Sequence, residues 1–356
     1  MDQHLHVDDR RRTLATSSPR PTGEPTDLVT HLTDQALGHL FSAALRTAAH
    51  HRIADHLARG PRTPEQLAEA TGTHAPHLRR VLRLLASRGI FREDSSGTYQ
   101  LTPAARMLRT DVPDSLHTAV LMLTDTLFLR TSEKLEETVR DGEAPFARLF
   151  GQPLFQYLQG DERARTLLDD GMTSLSATAD EAVAAAYPFP ETGTVVDVGG
   201  GRGGLLRAVL RRRPALSGVL VDQAPPLARH LLADDELKGR WRTEEADFFT
   251  AVPAGGDVYV LKHVLHDWPD ERCREILRTC RAAMAPGSRI LIVESVLPPG
   301  NAPHFGKTMD VAMMAVVDGR ERGSEEFAAL LSSGGFRLTR VLPTGATPSV
   351  VEAVAE

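Results

Sequence analysis

Apolar residues recur at helical spacing along residues 28–57, which predicts a helical region with one apolar face. The residues on that face are Leu32, Leu37, Leu40, Ala44, Leu45, Ala48, Ile53 and Leu57. Two shorter helices are predicted at residues 63–72 and 75–87, where Thr63 suits the start of the first and Gly72 its end. Residues 89–102, GIFREDSSGTYQLT, read as a hairpin. Helices followed by such a hairpin are typical of a winged helix.

Helix-forming residues continue through residues 105–187, until the segment YPFP at residues 187–190 breaks the pattern. Residues 1–25 are polar and rich in Pro, Ser, Thr and Arg, which is the composition of a disordered tail. We therefore predict a disordered tail at residues 1–25, a helical domain at residues 26–187 and a second domain at residues 188–356.

The hydrophobic pattern changes in that second domain, where short apolar runs alternate with helical segments. Strands are predicted at residues 194–201, 217–222, 257–265 and 288–296, and helices at residues 204–214, 225–234 and 271–284. Such alternation indicates a parallel sheet with right-handed crossovers. The chain ends with a helix at residues 327–336 and two strands joined by a short turn, which predicts an antiparallel pair at one edge of the sheet.

Composition and charge exclude several classes of partner. The net charge of -6 gives no global reason to expect nucleic acid or an anionic membrane, and no apolar window approaches the length of about 18 residues that spans a bilayer. Cys273 and Cys280 read as free thiols of a cytoplasmic protein. Four arginines mark the third predicted helix and leave DNA binding open beside two plainer roles, a solvated face or a dimer contact: Arg79, Arg80, Arg83 and Arg88.

A glycine-rich segment, DVGGGRGG at residues 197–204, leaves the first predicted strand and enters a helix. Glycines allow a tight turn and a close approach of the backbone to a ligand. Asp222 ends the next strand, where a carboxylate can accept both hydroxyls of a ribose. Together they predict an adenosine-containing ligand at the carboxyl edge of the sheet, and the alternative is a glycine turn that binds nothing.

The spacing of the glycines favours S-adenosylmethionine over a dinucleotide. Gly199, Gly201 and Gly203 form GxGxG rather than the GxGxxG of dinucleotide sites, and no second fingerprint follows. In the segment EADFF at residues 245–249, Asp247 is placed to accept the adenine amino group and Phe248 to cover the ring. Core packing is the alternative role for Phe248.

Six ordered motifs resemble the S-adenosylmethionine-dependent O-methyltransferases typified by plant caffeic acid O-methyltransferase and by bacterial enzymes that tailor antibiotics. They are DVGGGRGG, VLVDQ, ADFF, LKHVLHDWPDE, RILIVESVLP and GRERGSEEF. The resemblance implies a Rossmann-like class I methyltransferase sheet and a winged-helix-like region that serves as dimerisation and substrate-lid domain. It further implies a homodimer, S-adenosylmethionine as cofactor, S-adenosylhomocysteine (SAH) as product and no metal.

The resemblance also assigns roles to residues. It makes His266 the general base and places Glu294 and Glu321 where either can orient the imidazole. Lys262 matches a cofactor contact, and two helical residues match the lining of the methionine end: Met172 and Ser176. The role of Asp267 is left open, and His263 is read as structural because it matches no catalytic position of the family. A metal pair of His263 and His266 is the alternative, but a third ligand at recognisable spacing is missing.

The acceptor pocket is predicted from flexible and aromatic side chains, since methionine adapts to flat, bulky ligands. The candidates, for each of which core packing is the alternative, are Met122, Phe128, Phe155, Met309, Met313 and Met314. The sequence thus predicts an enzyme that methylates a hydroxyl of an aromatic or polyketide-type metabolite. Two alternatives stay open: a family member that uses the cofactor without methylating, for hydroxylation or ring chemistry, and a winged-helix regulator.

Overall fold

The computed structural model of the protein describes residues 25–356. The predicted disordered tail of residues 1–25 lies outside the described residues except for Pro25, which begins the first helix. Among residues 25–356, no helix combines the length and the apolar character that a membrane crossing requires.

The predicted helical region of residues 28–57 is divided into three helices: α1 (Pro25–Ala36), α2 (Gly38–His50) and α3 (Ile53–Leu57). The division before α3 falls at Arg52, whose φ of 52° is left-handed and cannot continue a helix. The winged-helix pattern is confirmed by the elements that follow, which are α4 (Pro64–Thr71), α5 (Ala75–Ser87), β1 (Phe91–Glu93) and β2 (Tyr99–Leu101). As expected, Thr63 begins α4 in a capping box with Gln66.

Two of the four arginines that suggested DNA binding as an alternative form ion pairs with acidic side chains. Arg79 pairs with Glu65 at 2.7 Å, and Arg88 pairs with Asp34 while stacking over the ring of Phe41. These contacts give the two side chains a structural role within the helical region.

Helices continue to the start of the central sheet. They are α6 (Pro103–Arg106), α7 (His117–Leu123), α8 (Thr126–Ser132), α9 (Leu135–Asp141), α10 (Phe146–Phe150), α11 (Leu154–Gly160) and α12 (Glu162–Ala186). Asp161 caps α12, the 25-residue helix that packs against α7. The predicted boundary at residue 187 falls between α12 and the first strand of the sheet, and the division into domains stays a prediction.

The central sheet has seven strands: β3 (Gly193–Val198), β4 (Leu216–Asp222), β5 (Trp241–Glu245), β6 (Val258–Lys262), β7 (Arg289–Glu294), β10 (Phe336–Pro343) and β11 (Ser349–Ala355). Their order is β10-β11-β7-β6-β3-β4-β5. The five strands β3 to β7 run parallel, and β10 and β11 are antiparallel, which confirms the predicted edge pair. Strand β5 was not predicted. A separate short pair joins β8 (Val296–Leu297) to β9 (Arg322–Gly323).

The remaining helices are α13 (Gly204–Arg212), α14 (Ala224–Leu227), α15 (Asp270–Ala283), α16 (Phe305–Val316) and α17 (Ser324–Ser333). The helix predicted at residues 225–234 is wrong beyond Leu227, because the N–H of Leu231 bonds to the carbonyl of Arg202 and draws the chain onto the glycine-rich loop. Helix α16, which was not predicted, closes one side of the site described below.

Alternate residues of the strands face two apolar cores. Val196, Val219 and Ile292 face one, whereas Val195, Leu220 and Leu291 face the other. Because both faces are covered, the carboxyl edge of the parallel strands is where a ligand can reach the sheet. Cys273 and Cys280 are free, as predicted, and burial raises the pKa of each thiol to about 12.

Candidate active site

A cavity of about 500 Å³ lies between the carboxyl edge of the sheet and the helices α12 and α16. It gathers twelve of the predicted site residues: Met122, Phe128, Phe155, Met172, Ser176, Gly199, Gly201, Lys262, His266, Met309, Met313 and Glu321. Residues from the helical region and from the sheet therefore share one site. Five predicted residues lie outside its lining: Asp222, Asp247, Phe248, Glu294 and Met314.

His266 stands on a short turn rather than on the predicted strand. Strand β6 ends at Lys262, because His263 takes a left-handed φ of 53°, and a 3-10 turn then runs over Leu265–Asp267. The imidazole Nδ1 lies 2.9 Å from Oε1 of Glu321. This contact leaves Nε2 as the ring nitrogen available to an acceptor, with Oδ1 of Asp267 at 3.6 Å.

Three carboxyl groups set the proton affinity of His266. Burial alone would lower the pKa of this imidazole, but the negative charges of Asp267, Glu321 and Glu294 outweigh it and raise the pKa to about 9. Burial raises the pKa of Asp267 to about 6 and that of Glu294 to about 7. The site therefore combines a strong base with carboxyl groups that hold their protons more tightly than usual.

Glu294 does not contact the imidazole ring, which corrects the expectation that it could orient that ring directly. Its Oε1 instead accepts from the backbone N–H groups of Leu265 at 2.7 Å and of His266 at 3.2 Å. Glu294 is fully buried and its Oε2 has no partner among the described residues. It fixes the backbone that carries His266, and it acts on the ring only through its charge.

Arg322 stabilises the other side of the turn that carries His266. Its guanidinium is fully buried and donates to the carbonyl oxygens of Leu265 and Trp268 and to the carboxylate of Asp270 at 2.7 Å. Gly319 lies so close to the carbonyl oxygen of His266 that any Cβ atom would overlap it. The turn that carries His266 is thus held by contacts that leave it little freedom.

The glycine-rich loop fits a ligand that approaches its backbone. Gly199 and Gly201 have left-handed φ angles of 65° and 59°, and the space around Gly201 where a Cβ would stand is open. The N–H of Gly201 donates to Oδ2 of Asp222 at 2.7 Å, which holds that carboxylate beside the loop. Asp197, below the loop, has two buried carboxyl oxygens without hydrogen-bond partners within residues 25–356, and burial raises its pKa to about 7.

The structure places one of the two candidate adenine contacts, Phe248, against this loop. The Phe248 ring lies against Gly199, 3.3 Å from the position that a Cβ would take. Asp247 accepts at Oδ1 from the N–H of Phe249, which uses one of its oxygens to shape the turn. Their roles toward adenine stay predictions.

Lys262 forms a buried ion pair that was not predicted. Its Nζ contacts Oδ1 of Asp180 on α12, and both side chains line the cavity. Asp180 follows Met172 and Ser176 at intervals of four residues, so the three share one face of the helix. That spacing was the signal in the sequence that could have identified Asp180.

The side of the cavity formed by the predicted acceptor residues is apolar. Met309 and Met313 come from α16, and Phe155 from α11 lies on Trp268 in a stacked arrangement, with ring centroids 5.2 Å apart. Met122 is also part of the core, since its side chain presses on Gly171 of α12 and is 1% exposed. Met122 therefore both packs in the core and lines the pocket.

His263 lines the cavity with its ring centroid 5.1 Å from that of His266. Its Nδ1 is buried without a partner among the described residues. Burial, together with the charges of His266 and Lys262, lowers its pKa well below the ordinary value. His263 is therefore a neutral imidazole in the wall of the site. Within residues 25–356, no group of three or more His, Cys, Asp or Glu side chains is arranged to hold a metal ion.

Comparison with known proteins decides the family. The model of the O-methyltransferase domain matches residues 132–337, and the model of the O-methyltransferase dimerisation domain matches residues 33–111. The chain belongs to the O-methyltransferase family. Its central sheet, antiparallel pair and helical N-terminal region are those of class I methyltransferases.

Individual relatives agree with this assignment. The phenazine O-methyltransferase PhzM of Lysobacter antibioticus is 41% identical, and the match covers 89% of this chain and 93% of that protein. The crystal structure of CalO1, a methyltransferase of calicheamicin biosynthesis in its SAH-bound form, is 43% identical with a TM-score of 0.85, covering 94% of this chain and 99% of the other. The aclacinomycin 10-hydroxylase RdmB of Streptomyces purpurascens is 34% identical and covers 94% of this chain and 91% of the relative.

The O-methyltransferase is thus an S-adenosylmethionine-dependent enzyme, as the six motifs predict. The residues that could hold the cofactor are those around the glycine-rich loop, because open space and left-handed glycines meet there and the carboxylate of Asp222 is held beside them. The relatives are mainly tailoring enzymes of antibiotic biosynthesis, and one of them is a hydroxylase.

Proposed function

We propose that this O-methyltransferase methylates a phenolic hydroxyl of an aromatic or polyketide-type secondary metabolite, with His266 as the general base. One observation carries the proposal: the Nδ1 contact with Glu321 leaves Nε2 of His266 available in a cavity whose acceptor side is apolar. A flat aromatic ring suits the wall formed by Phe155, Met309 and Met313. The named activity of the phenazine methyltransferase supports an aromatic acceptor.

The strength of the base suits this chemistry. A phenol has a pKa of about 10, so an ordinary imidazole of pKa 6.5 would take its proton only at a large cost. The pKa of about 9 at His266 brings the pKa of the base to within about one unit of that of the phenol. The imidazolium that forms is stabilised by Glu321 at Nδ1 and by the charge of Asp267.

S-adenosylmethionine, when bound, supplies a methyl group on a sulfonium sulfur, which is already activated for displacement. We assign its ribose to Asp222, its adenine to Asp247 and Phe248, and its methionine end to Met172, Ser176 and Lys262. The apolar residues around the acceptor exclude water, which would otherwise compete with the protein for hydrogen bonds to the acceptor hydroxyl. Positioning of the acceptor oxygen is expected to contribute up to about 7–11 kcal/mol to catalysis.

The proposal includes a homodimer formed through the helical region, because the dimerisation model matches residues 33–111 and apolar side chains of α1 and α2 are exposed. The test of the activity is mass spectrometry of phenazine, naphthoate and anthracycline phenols incubated with the protein and S-adenosylmethionine. Gain of one methyl group on oxygen, lost when the phenol is blocked beforehand, is expected. Conversion of an acceptor by oxygen insertion without methyl transfer would overturn the proposal and favour the hydroxylase chemistry of RdmB.

A further inference from the structure

His263 reaches the wall of the cavity through a strained backbone. Its left-handed φ costs free energy in a residue other than glycine, and strain of this kind is found most often at functional sites. The backbone N–H of His263 still bonds to the carbonyl of Val293 on β7, at 3.2 Å. The chain therefore leaves the sheet at this residue, and the imidazole lies beside that of His266 with an angle of 30° between the ring planes.

The imidazole of His263 has hydrogen-bonding capacity that the protein does not use. Neither ring nitrogen has a partner within residues 25–356, and it is Nδ1 that is closed off from the cavity. A neutral imidazole carries one proton, on one of its two nitrogens. We place it on Nε2, because a buried N–H without a partner is rarer in proteins than a buried acceptor without one. His263 therefore offers an N–H group to the cavity.

The neighbouring polar side chains leave that N–H without an acceptor. Glu321 contacts Nδ1 of His266, and the carboxylate of Asp267 lies 3.6 Å from Nε2 of the same ring. Lys262, which precedes His263, is itself a donor. The acidic groups of the site are thus gathered around His266, and the partner of His263 has to be an atom of the molecule that fills the cavity.

The separation of the two imidazoles defines where that atom lies. The ring centroids are 5.1 Å apart, and the hydroxyl to be methylated is at Nε2 of His266 in the proposed mechanism. Two oxygens on adjacent carbons of an aromatic ring are close enough together for each to meet one of the imidazoles. An oxygen on a distant carbon of a fused ring system lies out of reach of His263 when the first hydroxyl is at His266.

We propose that His263 determines specificity by donating from Nε2 to an oxygen on the ring carbon next to the methylated hydroxyl. The acceptor is then an aromatic compound with oxygens on two adjacent carbons. This rests on the proposed function, in which His266 is the base. During transfer the acceptor oxygen bonds to the methyl carbon as the bond from that carbon to sulfur breaks. The hydroxyl proton goes to Nε2 of His266, and His263 keeps its own proton.

The unpaired N–H is what would discriminate between acceptors. An aromatic compound without the second oxygen fills the cavity and leaves the N–H of His263 without a partner, which costs affinity. A site built to hydrogen-bond one group of a substrate rejects analogues that lack it for this reason. The apolar wall of Phe155, Met309 and Met313 discriminates less, because isomers of one size make similar apolar contacts.

Calorimetry with two isomers on the SAH-loaded protein tests the inference. The oxygens of 2,3-dihydroxynaphthalene are on adjacent carbons, whereas those of 2,7-dihydroxynaphthalene are on different rings of a molecule of the same size. The wild type should bind the 2,3 isomer roughly tenfold more tightly. His263→Leu should remove this preference by weakening the 2,3 isomer alone. His263→Gln, which keeps an N–H donor, should retain most of the preference.

The controls separate the N–H group from the fold. Leucine and glutamine both carry a Cβ at the left-handed φ, so the comparison of the two variants isolates the donor. His77→Leu repeats the change at an exposed position on α5 and should bind both isomers like the wild type. Both variants of His263 should bind SAH with the affinity of the wild type.

Each contrary result has its own meaning. Equal affinity of the wild type for the two isomers, or binding of neither, would overturn the proposal. A preference that survives in His263→Leu would assign the second oxygen to another group, such as Asp267. An equal loss for both isomers, or an equally large loss of SAH affinity, would mean that His263 serves the fold or the cofactor instead. Isomers that bind in the expected pattern but are not methylated would contradict the proposed function alone.

Discussion

Oε1 of Glu321 lies 2.9 Å from Nδ1 of His266, and both side chains are almost fully buried, at 1% and 7% exposure. Glu321 follows α16 and precedes β9, whereas His266 stands on the turn after β6. The contact therefore depends on the tertiary fold and fixes one nitrogen of the ring. In the proposed mechanism it leaves Nε2 to meet the acceptor, and it stabilises the imidazolium that forms when the acceptor proton is taken.

Removal of the base should be costly near pH 9 and less costly in stronger alkali. His266→Ala is expected to retain cofactor affinity and to lose roughly 10²–10⁴ in turnover at pH 9, the pKa of the imidazole, because at lower pH the wild-type ring is itself largely protonated. The loss should shrink from pH 9 to pH 11, because a phenol that ionises in solution no longer requires a base. Turnover of wild type and variant over that range checks this. A constant ratio from pH 9 to 11 would mean that His266 lines the site without acting as its base.

The Glu321→Gln change should alter the pH profile as well as the rate. Glutamine cannot neutralise the imidazolium, so the pKa of His266 should fall from about 9, which Glu321 helps to maintain. The rising limb of kcat/KM against pH should then move to lower pH, and the plateau should be lower because the base is weaker. The exposed Glu325→Gln, on α17, serves as control and should keep the wild-type profile. A lower plateau with an unmoved limb would contradict this role.

The buried Glu294 should make the protein less stable as the pH rises. Its pKa of about 7 in the folded protein lies above the ordinary value of 4.5, so its stabilising contribution is complete below pH 4.5 and is lost as the pH rises through 7. Glu294→Gln keeps an oxygen for the N–H groups of Leu265 and His266 but cannot ionise. Urea unfolding should show that the variant loses less stability between pH 4.5 and 7, by on the order of 1–3 kcal/mol. Parallel curves for the variant and the wild type would be inconsistent with a buried, titrating Glu294.

A substitution at Gly319 tests how firmly the turn that carries His266 is held. A Cβ at this position overlaps the carbonyl oxygen of His266, so Gly319→Ala must displace the turn. We expect a loss of stability of about 1–3 kcal/mol and a larger proportional loss of turnover. Gly160→Ala is the matched control, because the space around Gly160 is open and its φ is not left-handed. Normal activity in Gly319→Ala would show that the turn can shift without harm to the site.

The sequence predicted the parts of the fold that depend on local pattern. Buried parallel strands such as β3 and β7 are short apolar runs, and Thr63 begins its helix with a capping side chain. Strand β5, WRTEE, escaped prediction because it is a polar edge strand whose side chains are mostly exposed. Its strand conformation is set by pairing with β4 rather than by its own composition.

The sequence identified the site residues that belong to a recognisable motif. It did not identify which side chains those residues contact, because tertiary contacts determine that. The motif LKHVLHDWPDE located His266, but the left-handed φ of His263 that ends β6 has no signal in the sequence. Glu294 and Glu321 were equivalent candidates for the imidazole until the fold placed one at Nδ1 and the other at two backbone N–H groups. The spacing of Met172, Ser176 and Asp180 could have pointed to Asp180 as a site residue, but its pairing with Lys262 of the sheet is visible only in the structure.

The first two helices are expected to form a dimer contact. Five of the ten exposed large apolar side chains among the described residues lie between residues 28 and 40, and Leu32 is 68% exposed and Leu40 51% exposed. Burial of such surface is worth about 25 cal/mol per Å², so covering this face with a second copy is favourable. Light scattering should therefore show a dimer.

Charges placed on that face should separate the two copies. We expect the double change Leu32→Asp and Leu40→Asp to yield a monomer, because dimer formation would then bury two unpaired carboxylates in each copy. Val139→Asp is the matched control: Val139 is 71% exposed on α9, outside residues 33–111, and its change should leave the dimer intact. If the double variant stays dimeric, the contact lies elsewhere in the helical region. A wild type that is monomeric at all concentrations would contradict the homodimer itself.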